Sequence, residues 1–219
     1  MNINDYILKE IKALSLSCSV KKVQQNCKNY PLSHFPVVHN NKLVGCVAES
    51  DMRTIEDKEN SLNEFSHLFH HFFATVDTTL LDLIALFADN DCNLMPVVDK
   101  KLDYIGYYEL SDILDVYADT PFMHRNNETL IVETSKADFS MSQVSQIVES
   151  NNGKLLGLYV SHETADMIQI TLKITTEDLN DIIQTFRRYD YIIITESEND
   201  EFLEELKDRA DYLRKYLDM

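Results

Sequence analysis

His34-Phe35-Pro36-Val37-Val38, followed after a polar turn by Lys42-Leu43-Val44-Gly45-Cys46-Val47-Ala48-Glu49-Ser50-Asp51-Met52, occurs in a second copy later in the same chain. That copy reads Leu94-Met95-Pro96-Val97-Val98-Asp99, then Leu102-Asp103-Tyr104-Ile105-Gly106-Tyr107-Tyr108-Glu109-Leu110-Ser111-Asp112-Ile113. Pro36 and Pro96 are 60 residues apart, whereas Gly45–Gly106 and Asp51–Asp112 are each 61 apart. One residue inserted in the turn accounts for the difference. A fixed period of this size signals a duplicated structural unit.

Each copy reads as strand, turn, strand, helix. The Pro-Val-Val segment is short, apolar and β-branched, with Pro expected at its first position, where a missing N–H costs little. Asn40-Asn41-Lys42 and Asp99-Lys100-Lys101 supply turn chemistry. Ser50-Asp51 and Ser111-Asp112 are candidate N-caps for the helices that follow. Upstream of each Pro lies an amphipathic helix. Val20, Val23 and Cys27 mark the first, and Leu80, Leu83, Ile84 and Phe87 the second.

The paired pattern, an apolar residue before Pro-Val-Val, a turn, then Gly and a terminal Ser-Asp, resembles the CBS domain, which occurs in tandem. The resemblance covers residues 1–118, with repeats at about 1–60 and 61–118. It implies β-α-β-β-α units with clefts between them that hold adenosine-containing ligands. It places Asp51 and Asp112 on the ribose, where a carboxylate can accept two hydrogen bonds from a vicinal diol. Backbone around Phe35-Pro36 and Met95-Pro96 would face the base. The family's hydroxyl position is occupied by Ala48 in one copy and Glu109 in the other. Glu109 opposes a phosphate. Arg53, two residues beyond Asp51, is a candidate phosphate contact, while its equivalent is Leu114. The cleft with Ser50, Asp51 and Arg53 is therefore the favoured one. Helix capping alone is the competing role for Asp51 and Asp112.

Between the repeats, His67 and His71 stand four apart, a spacing that metals use on a helix. No third ligand follows, and Leu68, Phe69, Phe72 and Phe73 point to packing, so no metal is expected. After a linker at 119–127, residues 128–197 show the order βαββαβ, a ferredoxin-like arrangement. Thr176 is a candidate cap of the second helix in this part. The order is similar to that of the ACT domain, an amino-acid-sensing module. The loop after its first strand, Ser135–Phe139, lacks the glycine such sites use, and edge-to-edge sheet pairing between subunits is the competing role. Residues 198–219 read as an amphipathic helix with Phe202, Leu206, Leu213 and Leu217 in one stripe.

The fold class expected is thus α+β and α/β, a tandem CBS module followed by an ACT-like domain and a terminal helix. With 20 Lys+Arg against 37 Asp+Glu, the net charge of −17 disfavours nucleic acid and anionic membranes. No P-loop, G-x-G-x-x-G, G-x-S-x-G or H-E-x-x-H occurs, and 4 glycines in 219 residues leave no phosphate-cradling loop, so no enzyme activity is expected. Cys18, Cys27, Cys46 and Cys92 form no zinc motif. With no signal peptide or spanning run, they read as reduced, mostly buried thiols in the cytoplasm. The chain is expected to be a regulatory homodimer with a protein target yet to be identified. It requires no cofactor, and its effector would be AMP, ADP, ATP or S-adenosylmethionine. The alternative is a constitutive homodimeric module without a ligand.

Overall fold

In the computed structural model, which describes residues 2–124 and 126–195, the chain divides into two compact units, Met1–Tyr117 and Ala118–Met219. The helix expected over 198–219 lies outside the described residues.

The first unit contains the repeat twice. Repeat one runs β1 (Leu14–Ser15), α1 (Val20–Asn29), β2 (His34–His39), β3 (Lys42–Ala48) and α2 (Glu49–Thr54). Repeat two runs β4 (Ala74–Thr75), α3 (Leu80–Asp89), β5 (Leu94–Val98), β6 (Tyr104–Glu109) and α4 (Leu110–Ala118). Each forms a three-stranded sheet in chain order, the first pair parallel and the second antiparallel. Both sheets carry the same irregularity, between Val37 and Val38 and between Val97 and Val98. The prolines sit third in β2 and β5, not first as expected. The register explains this: β1 pairs with β2 only at Val37 and Val38, so the flank of Pro36 away from β3 has no partner strand that needs its N–H. Asn40 and Asn41 both take positive φ (49° and 65°), which suits a tight hairpin.

The two repeats exchange their N-terminal arms. Leu8, in the arm of repeat one, pairs with Tyr107 on β6: each N–H donates to the other's carbonyl at 2.8 and 3.0 Å. His70, in the arm of repeat two, pairs with Cys46 on β3 in the same reciprocal way at 2.8 Å. Side chains follow the backbone. Ile3 and Ile7 pack into the core of repeat two, and Phe69 into that of repeat one. Gly45 and Gly106 lie directly beneath the crossing arms at φ +151° and +153°. A Cβ on Gly106 would stand 2.4 Å from the Leu8 carbonyl oxygen, and one on Gly45 would stand 3.0 Å from that of His70. The repeat's signature glycine is thus a crossing point for the other arm.

The repeats also meet through equivalent residues. Ser33 and Asn93 face each other: Asn93 Oδ1 accepts from the Ser33 N–H and hydroxyl at 2.8 and 3.0 Å, and the Asn93 N–H donates to Ser33 Oγ at 3.0 Å. At another point Lys42 pairs with Asp103 at 2.9 Å. These equivalent pairs lie on an internal quasi-two-fold relation.

The second unit is built on β7 (Glu128–Ser135), α5 (Met141–Ser150), β8 (Lys154–Glu163), β9 (Met167–Thr175), α6 (Leu179–Arg188) and β10 (Ile192–Ile193). Its sheet order β10-β7-β9-β8 is that of a ferredoxin-like fold. Alternate residues of β7 and β9 join Val144, Ile147, Ile182, Ile183 and Phe186 in one core. The cap of α6 is Asp178, which accepts from the N–H groups of Asn180 and Asp181, and not Thr176 as expected. Within 119–127, the expected linker, Phe122 lies against Gly157 of β8. No helix among the described residues is long and apolar enough to cross a membrane.

Gly106→Ala is expected to lower the unfolding free energy by about 2–3 kcal/mol, through overpacking and backbone strain. Gly45→Ala, with a looser contact, is expected to cost less. Urea unfolding of the two variants checks the order.

Candidate functional site

The quasi-two-fold relation brings the start of the last helix of each repeat to the interface. Backbone bonds fix it there: the Glu49 N–H donates to the Ser33 carbonyl at 2.8 Å, and the Leu110 N–H to that of Asn93 at 3.0 Å. The capping role expected for Ser50 and Asp51 does not hold. The N-cap is Ala48, without a side-chain bond, and α2 begins at Glu49, so Asp51 lies inside the first turn. α4 likewise begins at Leu110, ahead of Ser111 and Asp112. A carboxylate in the first turn is favoured by the helix dipole.

The two clefts differ. In the first, Asp51 Oδ2 lies 3.4 Å from His70 Nε2. His70 Nδ1 lies 3.4 Å from His34 Nε2, and His34 Nδ1 lies 3.0 Å from Ser33 Oγ. The two imidazoles are tilted with centroids 5.0 Å apart, and Phe72 meets His34 edge-on at 5.2 Å. His34 is 5% exposed. The chain's own side chains therefore engage Asp51. Arg53 is not brought to it. Two positions along a short helix put it on another face, where it holds Glu49 at 2.6 Å. There, with Gln24, Cys27 and Lys28, Glu49 and Arg53 line a cavity of about 550 Å³ between α1 and α2.

The second cleft is open. A cavity of about 410 Å³ is lined by Ile11, Tyr30, Pro31 and Leu32 of repeat one and Asn93, Glu109, Leu110, Ser111 and Leu114 of repeat two. The side chain of Asp112, half-buried, has no hydrogen bond or ion pair among the described residues. Glu109 is pushed above the ordinary carboxylate range by burial first, then by Asp112 and Glu10. Phe35, Pro36, Met95 and Pro96, whose backbone was expected to face a ligand, are not among the residues that line this cavity. Phe35 and Pro36 pair with Val47 and Cys46, Met95 and Pro96 with Tyr108 and Tyr107, and all four are buried inside the sheets. The residues at the cleft lie just upstream, at Pro31, Leu32 and Asn93.

His67 and His71 do not share a helix face. The 3-10 helix Leu62–Leu68 ends between them, and His71 follows the extended pairing of His70 with Cys46. Among the described residues, no three His, Cys, Asp or Glu side chains are grouped to hold a metal. Cys46 and Cys92 are buried and Cys18 and Cys27 half-buried, all as free thiols. Burial pushes their titration upward.

Residues 70–119 match the family model of the CBS domain. Repeat one has the same element order, register irregularity and arm crossing. The first unit is a tandem CBS module. An uncharacterised protein of Methanocaldococcus jannaschii is 25% identical over 114 residues, 52% of this chain and 43% of that protein, so this chain spans less than half of its relative's length. Among solved structures, a CBS domain pair/ACT domain protein from Thermotoga maritima is 17% identical with a TM-score of 0.49, over 54% of this chain and 98% of that one. The complex of CBSX2 with AMP is 18% identical with a TM-score of 0.44, over 53% and 95%.

Burial, followed by His70, holds His34 below the ordinary imidazole range, with Asp51 and Asp91 opposing. The unfolded chain therefore takes up a proton near pH 6.5 that the folded chain refuses, and stability falls as pH drops through that range. Urea midpoints measured from about pH 7.5 to about pH 5.5 should decline, and His34→Leu, which installs the residue type of the equivalent Leu94, should flatten the decline.

Proposed function

We propose that the tandem CBS module is a non-catalytic regulatory element that binds an adenosine-containing ligand in the cleft beside Asp112. The open cavity lined by both repeats carries this reading. Ile11, Tyr30, Leu32 and Leu114 offer apolar surface for a base, and Ser111 and Glu109 of the lining offer acceptors for ribose hydroxyls, with the carboxylate of Asp112 next to Ser111 in the chain. A ligand touching both repeats favours one packing of the pair over others, which is the physical basis of a sensor. The solved complex of CBSX2 with AMP supports the choice of ligand class. The preference differs from the one the sequence suggests, because Asp51 is engaged by His70 and Arg53 by Glu49.

In this reading the ferredoxin-like unit at 128–197 is ACT-like and pairs its sheet edge in a homodimer, in keeping with the glycine-free loop after β7. The second reading, a constitutive homodimeric module without a ligand, draws on Ala48, which lacks the hydroxyl expected at its position, and on the contact of Asp51 with His70.

Thermal unfolding with AMP, ADP, ATP and S-adenosylmethionine separates the two. A ligand at a hundred times its Kd adds about 2.7 kcal/mol. Asp112→Asn should remove that stabilisation, and Asp51→Asn should leave it. A flat response across the panel supports the ligand-free reading.

A further inference from the structure

The internal two-fold relation carries the pair Leu8 and Leu94 onto His70 and His34. Leu8 and His70 each pair with the residue that follows a crossed glycine, and Leu94 and His34 open β5 and β2. The two leucines belong to one apolar core. Apolar packing therefore serves this place in the fold, and the other copy has histidine at both positions. There the rings meet: His34 Nε2 lies 3.4 Å from His70 Nδ1, with ring centroids 5.0 Å apart.

The surrounding hydrogen bonds leave both facing nitrogens bare. The side-chain amide of Asn93 donates to the Pro31 carbonyl at 2.9 Å, so its Oδ1 is the acceptor that takes the Ser33 hydroxyl hydrogen at 3.0 Å. Ser33 Oγ is then left to accept from His34 at 3.0 Å, which places the proton of a neutral His34 on Nδ1. Asp51 Oδ2 faces His70 Nε2 at 3.4 Å and, being an acceptor, favours the proton of His70 on that nitrogen. The lone pairs of His34 Nε2 and His70 Nδ1 are thus opposed with no hydrogen between them, an arrangement that a cation relieves.

The spacing suits a metal ion. Two nitrogens held at about 2.1 Å by a tetrahedral metal stand about 3.4 Å apart. The outer partners suit it too, because a metal-bound imidazole gives its second N–H to a carboxylate or another acceptor. Burial and the neighbouring ring keep His34 in the neutral form that ligates, and Asp51 and Asp91 lie close enough to act on it with the sign that draws in a cation. His34 is buried, but the His70 side chain is 46% exposed, so solvent reaches the pair from that side.

We propose that His34 Nε2 and His70 Nδ1 chelate a divalent transition metal of the zinc, copper or nickel class, with Ser33 and Asp51 orienting the two rings from outside. No three His, Cys, Asp or Glu side chains are grouped among the described residues, so the remaining coordination positions fall to water. His34 lies on β2 of repeat one and His70 in the arm of repeat two, so the metal clamps the crossing arm onto the opposite repeat. This clamp does not depend on what the Asp112 cleft binds.

The full chain, without an affinity tag and stripped of metal by a chelator, is unfolded by heat with and without zinc chloride, and its copper(II) complex is read by electron paramagnetic resonance. Zinc should raise the melting temperature, and the copper spectrum should show coupling to two imidazole nitrogens. His70→Ala should abolish the zinc shift, and its melting curve without metal checks the fold. Asp51→Asn should weaken zinc about tenfold or more, as loss of an outer acceptor does. His67→Ala and His71→Ala should leave the shift intact. Absence of a zinc shift, a shift that survives His70→Ala, or one lost with His67 or His71 would overturn the site.

Discussion

Everything in the first unit depends on the crossing of each arm over the other repeat's glycine. Neither repeat closes its own sheet. Leu8 completes the backbone pairing of β6, and His70 completes that of β3. The crossing is closest at Gly106, where any side chain would meet the Leu8 carbonyl. Because the arms carry Ile3, Ile7 and Phe69 into the opposite cores, the repeats are expected to fold as one cooperative body. The clefts are a consequence: they are the spaces left where two like halves are tied at their arms and at Ser33 and Asn93.

Duplication makes two clefts, and individual residues make them different. Leucine stands at 94 where histidine stands at 34, and the arm of repeat two brings His70 to Asp51. The first cleft thus contains a polar chain from Asp51 through both imidazoles to Ser33. Its counterpart has Ile11 and Tyr30 near Glu109 and keeps its space. The same frame yields one cleft in which His70 faces Asp51 and one that keeps a cavity of about 410 Å³.

The repeat architecture was legible because Pro, Gly and Asp recur at a constant offset and the apolar periods change at the right places. The ferredoxin-like order was legible for the same reason: β9 alternates over its length, and Ser140 and the Asn152-Gly153 pair bound α5. The site was read less well. Spacing along α2 does not say that Arg53 and Asp51 leave on different faces toward different partners, Glu49 and His70. Nothing local announces that His70 belongs to a crossing arm, since its pairing is with Cys46, far away in sequence. The capping role assigned to Ser50 and Asp51 failed by one turn geometry: the strand passes straight into the helix at Ala48.

The most direct test is a crystal structure of the full chain grown with ATP. Density for the nucleoside between Tyr30 and Leu114 is the predicted result. A nucleotide seated instead against Asp51, with His70 displaced from it, would contradict the assignment of the open cleft.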